Sequence, residues 1–305
     1  MNHLEANISL LAITFFSAVQ FVFLDGVPNN ISPFGFLCIT NFVGFLLTVV
    51  FFTDEIKRID FEHIKQGIIL SVELIVFNIA YLAGVKWLGA NEATAVQQIY
   101  FIFVVMFIIL FYKQFPDRGQ ISGFVLITAG IFCMVDVNFY ALWKLPVLYL
   151  IIADIAFAFY IISIWRYSTS SNPAALALGQ MLFVCIGAFI LWAVDVFFFG
   201  ASFEMPMTGD FWASVLFVGF FIRALYGFIQ IYAQRYVSPL NVAIIFSTEI
   251  VISVFLSPLL SIVFGTEAHD IRFIDFIGGI FILFGLLMIQ PDFIKFVRRI
   301  KNARG

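Results

Sequence analysis

A chain of 305 residues that is 63% hydrophobic, 11% charged and carries 42 phenylalanines cannot hide its apolar surface in a water-soluble core. Lipid has to solvate much of it. The net charge of −3 gives no sign of a nucleic-acid partner, so the placement of charges along the chain carries more information than their sum. Cys38, Cys133 and Cys185 all fall inside apolar runs without disulfide or metal spacing, which reads as buried thiols. His3, His63 and His269 lie outside the apolar runs, which argues against a buried histidine relay.

A helix needs about 20 apolar residues to cross the hydrocarbon. Ten stretches qualify in chain order: roughly 8–24, 31–52, 66–86, 93–112, 119–137, 146–166, 173–197, 211–234, 239–264 and 273–291. Helix breakers punctuate them, among them Pro28, Ser32-Pro33, Pro116, Pro146, Asn172-Pro173, Pro206, Ser238-Pro239 and Pro291. No basic segment precedes the first stretch, so an uncleaved helix is expected there rather than a signal peptide.

The second half carries Ser238-Pro239, then Glu249, then Gly278 and Gly285 seven residues apart. A fainter copy runs from Gly89 to Met134, with Gly123 and Gly130 again seven apart. An odd number of crossings separates the copies, which inverts one relative to the other. The expected architecture is an all-α integral membrane protein of ten transmembrane helices, built as two inverted five-helix repeats. The repeats would span residues 1–140 and 141–305, the second ending in a basic tail.

Basic residues set the orientation. Of the sixteen lysines and arginines, twelve fall on the side of the termini: Lys57, Arg58, Lys65, Lys113, Arg118, Arg166, Arg235, Lys295, Arg298, Arg299, Lys301 and Arg304. Lys86, Lys144 and Arg272 fall on the other side. Both termini are therefore expected in the cytoplasm, in a multi-pass protein of the cell (plasma or inner) membrane. The tail reads as a topology anchor on the anionic leaflet.

Four ionisable residues interrupt spans near mid-depth: Glu73, Asp154, Arg223 and Glu249. Such residues cost roughly 2.5–3.5 kcal/mol at the centre of a helix, so they face a wet cavity or a partner. An internal ion pair of Arg223 with Glu73 or Glu249 is the plain structural reading. One arginine cannot neutralise three acids, which leaves a carboxyl to carry or bind a proton or cation. Tyr226 and Gln230 follow Arg223 at i+3 and i+7, which predicts a shared face. Glu249, Ser253, Ser257 and Ser261 recur every four residues, as a hydroxyl-lined path or as close helix packing would require. Gln97, Gln98 and Tyr100, with Tyr81, Asn78, Gln20 and Trp165, add polar atoms at depth. The substrate- or proton-binding set is thus Glu73, Asp154, Arg223, Glu249, Tyr81, Gln98, Tyr226 and Gln230. Asp25, Glu92, Asp136, Asp195 and Asp275 sit near outer helix ends and read as solvated. No catalytic, phosphate-loop or dinucleotide pattern occurs, so neither an enzyme activity nor a cofactor or metal is expected.

The run Val237-Ser238-Pro239-Leu240-Asn241-Val242-Ala243-Ile244-Ile245-Phe246-Ser247-Thr248-Glu249 resembles the ninth-helix signature of the drug/metabolite transporter superfamily, EamA-like branch. Gly278-Gly279 with Gly285 is similar to that branch's closing helix, and Gly89 to Gln98 to the first-half counterpart. Ile250 stands where a proline often follows, Asn41 where arginine is frequent in the second helix, and Lys113-Gln114 in place of the usual Gly-Glu. The resemblance implies a central cavity enclosed by helices of both halves, with the fifth and tenth helices towards the periphery. It implies an alternating-access transporter of a small polar organic metabolite. The acid excess favours an amine-bearing solute such as an amino acid or organic amine, with proton coupling or exchange. Glu249 and Glu73 would take the amine or proton, Arg223 a solute carboxylate, and Asp154 would complete the site. A nucleotide-derived or other anionic solute anchored by Arg223 is the alternative. A membrane scaffold or lipid-handling protein is the reading from another class. The partners expected are the solute, the lipid bilayer and a coupling proton, with the homodimeric state left open.

Overall fold

The computed structural model describes residues 1–24, 27, 31–88, 93, 96–134, 146–264 and 271–289. Asp25, Glu92 and Asp136, most of the Gly89 to Gln98 run and the basic tail lie outside these residues. Among the described residues the chain is all-helical, with no strand. The long helices are α1 (His3–Leu24), α2 (Pro33–Phe51), α3 (Phe61–Leu88), α4 (Tyr100–Tyr112) and α5 (Arg118–Met134). The second half contributes α6 (Val147–Ser170), α7 (Pro173–Phe199), α8 (Gly209–Gln234), α9 (Pro239–Val263) and α10 (Phe273–Ile289).

A single turn at Thr53–Ile56 makes an eleventh helical segment that the hydropathy pattern did not predict. It forms because Phe52 leaves helical geometry (φ −125°, ψ 36°) and ends α2. Asp54 and Glu55 then suit the first turn of a new helix, where the dipole favours negative charge. Among the described residues six helices, α2, α3, α6, α7, α8 and α9, are long and apolar enough to cross a membrane, while α4, α5 and α10 are apolar but shorter. The ends of several helices follow local chemistry. Ser32, Asn172 and Ser238 each cap a helix through a side-chain oxygen, and each is followed by proline at the first helical position.

The most extensive helix contacts join the two halves. The pairs in touch include α3 with α6 and α7, α2 with α7 and α8, α4 with α6 and α9, α1 with α8 and α9, and α5 with α10. Glycines set the closest approaches. A Cβ on Gly67 would sit 2.8 Å from the Gly179 backbone, bringing α3 onto α7. Gly130 meets Gly278, and Gly285 meets Gly123, so α5 and α10 run antiparallel through two glycine contacts. The outward faces of this pair carry Val125, Phe132, Phe276 and Phe284, all exposed as lipid-facing side chains would be.

Polar ties close both ends of the bundle. At one end Asn172 donates to Glu55 (2.6 Å) and Ser171 to Gln66 (2.7 Å), while the Asn172 N–H reaches His63 Nε2 (3.4 Å). At the other, Ser32 donates to Asp195 and Ser214 to the Phe23 carbonyl. Arg272 pairs with Asp275 at 2.9 Å and touches the Met134 carbonyl. Asp195 and Asp275 were expected to be solvated; Asp195 is instead bonded to Ser32, and Asp275 is fully buried against Arg272.

Gly278→Ala places a methyl 2.5 Å from Met134 Cγ and 2.6 Å from the Gly130 carbonyl. It should destabilise the protein by about 1–3 kcal/mol through overpacking, read as a lowered melting midpoint in detergent. A second prediction concerns Asp60, whose carboxylate accepts the His63 backbone N–H and is held below the usual range by that bond. Its contribution is present above the unfolded value and is lost as pH falls through the lowered folded value. Melting curves taken on acidification should therefore fall further for wild type than for Asp60→Asn.

Candidate solute site

The four mid-depth charges come from four helices: Glu73 from α3, Asp154 from α6, Arg223 from α8 and Glu249 from α9. Two of those helices are irregular where the charge sits. Residues Val218–Tyr226 of α8 form a π-helix that contains Arg223. A π turn closes on i+5 rather than i+4, a feature frequent at functional sites. The extra residue interrupts the 3.6-residue periodicity on which a shared face of Arg223, Tyr226 and Gln230 was expected; Gln230 is sealed, while Arg223 and Tyr226 are half-buried. The α8 backbone at Arg223 lies against α2, where a Cβ on Gly44 would be 2.5 Å from the Arg223 Cβ.

Helix α9 is interrupted at Ser247-Thr248, leaving the segments Pro239–Phe246 and Glu249–Phe264. Thr248 N–H bonds the Ile245 carbonyl, a tighter i→i+3 closure, and the Thr248 hydroxyl bonds the same carbonyl. Glu249 therefore opens the second segment instead of lying mid-helix. A comparable closure, Ile99 N–H to the Val96 carbonyl, precedes α4 in the first half.

Glu73, Arg223, Tyr226 and Glu249 are enclosed by neighbouring helices, yet each keeps some accessible surface. Ser163 donates to Glu73 Oε1 at 2.7 Å, and Ser17 donates to Glu249 Oε1 at 2.7 Å. Glu73 Oε2 is buried without a partner, as is Arg223 Nε. Among the described residues, Arg223 makes no ion pair with either glutamate. Serines from facing helices bond the acids in its place. Tyr160 lies within the fields of both Glu73 and Arg223, and Gln180 donates to its hydroxyl at 2.8 Å. Tyr226 packs on Phe246 and lies within the field of Glu249.

The rest of the predicted set is distributed otherwise. Asp154 is fully buried with both carboxyl oxygens unpartnered. It faces the side of Tyr100, whose hydroxyl donates to the Ala243 carbonyl. Gln98 and Gln230 are sealed, with Oε1 and Nε2 respectively unpartnered. Tyr81 lies eight residues beyond Glu73, about 12 Å along α3, stacked on Phe77 and packed near Val96 and Leu150. Two serines of the α9 run bond their own helix. Ser253 bonds the Ile250 carbonyl and Ser261 that of Pro258, which favours packing over a hydroxyl-lined path. Ser17, Ser163, Tyr160 and Gln180 were not singled out from the sequence. Their only signal there is a polar residue at mid-depth of an apolar run.

Residues 4–136 match the EamA-like transporter family. A protein of Archaeoglobus fulgidus described as an uncharacterized transporter is 24% identical over 249 residues, covering 82% of this chain and 76% of its own length. Both similarities point to a membrane transporter. A crystal structure of a protein superposes with a TM-score of 0.69 at 15% identity, covering 93% of this chain and 94% of the other, which shows a shared fold. The family match and the apolar helices indicate a multi-pass membrane protein.

With no Arg223–acid pair to break, a double-mutant cycle of Arg223→Met with Glu73→Gln should give a coupling energy within about 0.5 kcal/mol of zero. The same should hold with Glu249→Gln. Melting of the single and double variants in detergent supplies the measurement.

Proposed function

We propose that this transporter moves a small amine-bearing metabolite, of amino-acid type, by alternating access. The observation that carries the reading is an enclosed guanidinium without an acid partner, in a helix bundle whose two partly accessible glutamates are held by serines. A guanidinium left unpaired in a low-dielectric site is matched by a carboxylate supplied from outside. Carboxylates that have not been neutralised by it remain for an ammonium. A zwitterion satisfies both ends at once.

The helix contacts support two inverted repeats covering residues 1–140 and 141–305. Exchanging α1–α5 with α6–α10 turns the α3–α6 contact into α8–α1, α3–α7 into α8–α2, and α4–α6 into α9–α1. The α2–α7, α4–α9 and α5–α10 contacts map onto themselves. Such exchange is the construction used for rocking between two access states. The distribution of basic residues supports cytoplasmic termini. Proton coupling is proposed from the excess of intramembrane acids over the single intramembrane arginine. The anionic-solute reading draws on the same unpaired Arg223 but leaves the two serine-held glutamates without a role.

Purified protein screened against amino acids, their decarboxylated amines and nucleotides should melt higher with an amino acid, since a ligand of the folded state stabilises it by mass action. In liposomes Arg223→Met should raise KM for the amino acid by about tenfold to a hundredfold, as loss of a charged hydrogen bond of 1.5–3 kcal/mol implies. The decarboxylated amine should change much less, and Glu249→Gln should impair both. Stabilisation by nucleotides alone, or equal losses for both solutes in Arg223→Met, would overturn the amino-acid reading.

A further inference from the structure

Hydroxyls inside the spans of this protein mostly bond their own helix. Thr14 donates to the Leu10 carbonyl, Thr48 to Gly44, Thr128 to Phe124 and Ser247 to Ala243. This back-bonding is the usual local satisfaction of Ser and Thr in helices. Ser17 and Ser163 depart from it. Each sends its hydroxyl hydrogen 2.7 Å across to a glutamate, Ser17 of α1 to Glu249 of α9 and Ser163 of α6 to Glu73 of α3. Each bond therefore joins a residue of one half to a residue of the other. The direction at Ser17 is fixed, because Gln20 Nε2 donates to the same oxygen at 3.3 Å and leaves the single hydroxyl hydrogen for the acid.

We infer that Ser17 and Ser163 are positioning residues for the ammonium end of the solute, each pinning one oxygen of an acid so that the other keeps a fixed orientation inside the bundle. This deepens the amine-bearing reading above and rests on it. The terminal torsion of a glutamate is broad, so a carboxyl without an anchor turns freely and meets an ammonium in many orientations. With Oε1 anchored, Glu73 holds Oε2 unpartnered within the bundle. Because anchor and acid belong to opposite halves, the anchored geometry lasts only while the halves are packed together. Ammonium affinity is thereby linked to closure, since a ligand shifts a conformational equilibrium by its differential affinity for the two states.

Two measurements on the full chain test this. The first is transport in liposomes of a primary-amine amino acid by Ser17→Ala, Ser17→Thr, Ser163→Ala and Ser163→Thr. The alanine variants should raise KM about tenfold, equivalent to about 1.4 kcal/mol, with Vmax within about twofold. The threonine variants, which keep the hydroxyl, should stay near wild type. The second uses no solute: labelling by the apolar carbodiimide dicyclohexylcarbodiimide, followed by peptide mass spectrometry. Labelling of Glu249 should be severalfold faster in Ser17→Ala than in wild type or Ser17→Thr, because the carboxyl has lost its anchor. Glu73 should respond in the same way to Ser163→Ala. Unchanged labelling in both alanine variants, or threonine variants as impaired as alanine, would overturn the positioning role. If wild type moves no amine-bearing solute, the solute reading falls, while the labelling comparison still decides whether the serines orient the acids.

Discussion

The protein depends on how it keeps one guanidinium inside an apolar bundle without pairing it to a resident acid. A charge at the centre of a span costs a few kcal/mol even on the most forgiving insertion scales. An internal salt bridge with Glu73 or Glu249 would have relieved that cost and locked the helices together. Instead serines from facing helices occupy both glutamates, and Arg223 keeps an unpartnered Nε. Much of the surrounding architecture accommodates this arrangement. The π segment of α8 places Arg223, and Gly44 lets α2 come against its Cβ. The interruption at Ser247-Thr248 sets Glu249 at the start of a helical segment, where the dipole favours a carboxylate.

Tertiary contacts are made mainly by small residues and by aromatic stacking, as expected where lipid is as apolar as the side chains and burial alone drives little association. Gly67 on Gly179, Gly130 on Gly278 and Gly123 on Gly285 bring backbones together. Phe157 stands among Phe77, Tyr100 and Tyr160, bridging α3, α4 and α6 beside the acids. The polar ties at the two ends of the bundle run between halves as well. A solute that changes the contact between halves at the centre therefore acts on bonds that also close the ends.

The helical class and the approximate positions of the spans were legible because hydrophobic length and proline or glycine punctuation follow from the bilayer itself. The glycine pairs of α5 and α10 were legible too, through their seven-residue spacing. The finer geometry was not. Periodicity assumes an unbroken 3.6-residue helix, so it put Arg223, Tyr226 and Gln230 on one face and could not foresee the π register. Composition could name Asp275 as an acid near a helix end but could not see Arg272 and the Met134 carbonyl folding over it. Ser17 and Ser163 were lost among many hydroxyls, because only the tertiary structure separates a serine that bonds its own helix from one that reaches across.

The exchange of contacts between halves and the placement of charge obey different rules. The frame is close to symmetric under exchange of α1–α5 with α6–α10. The charges are not: Glu73 alone comes from the first half, while Asp154, Arg223 and Glu249 come from the second. On the inverted-repeat reading both features are needed. A symmetric frame makes the two access states nearly equal in packing energy, so that modest binding differences can move the equilibrium. On the proposed function, an asymmetric charge pattern gives the site a positive end and acidic positions, which a symmetric solute could not satisfy but a zwitterion can. Selectivity then resides in the few side chains that break the symmetry, and turnover in the many that keep it.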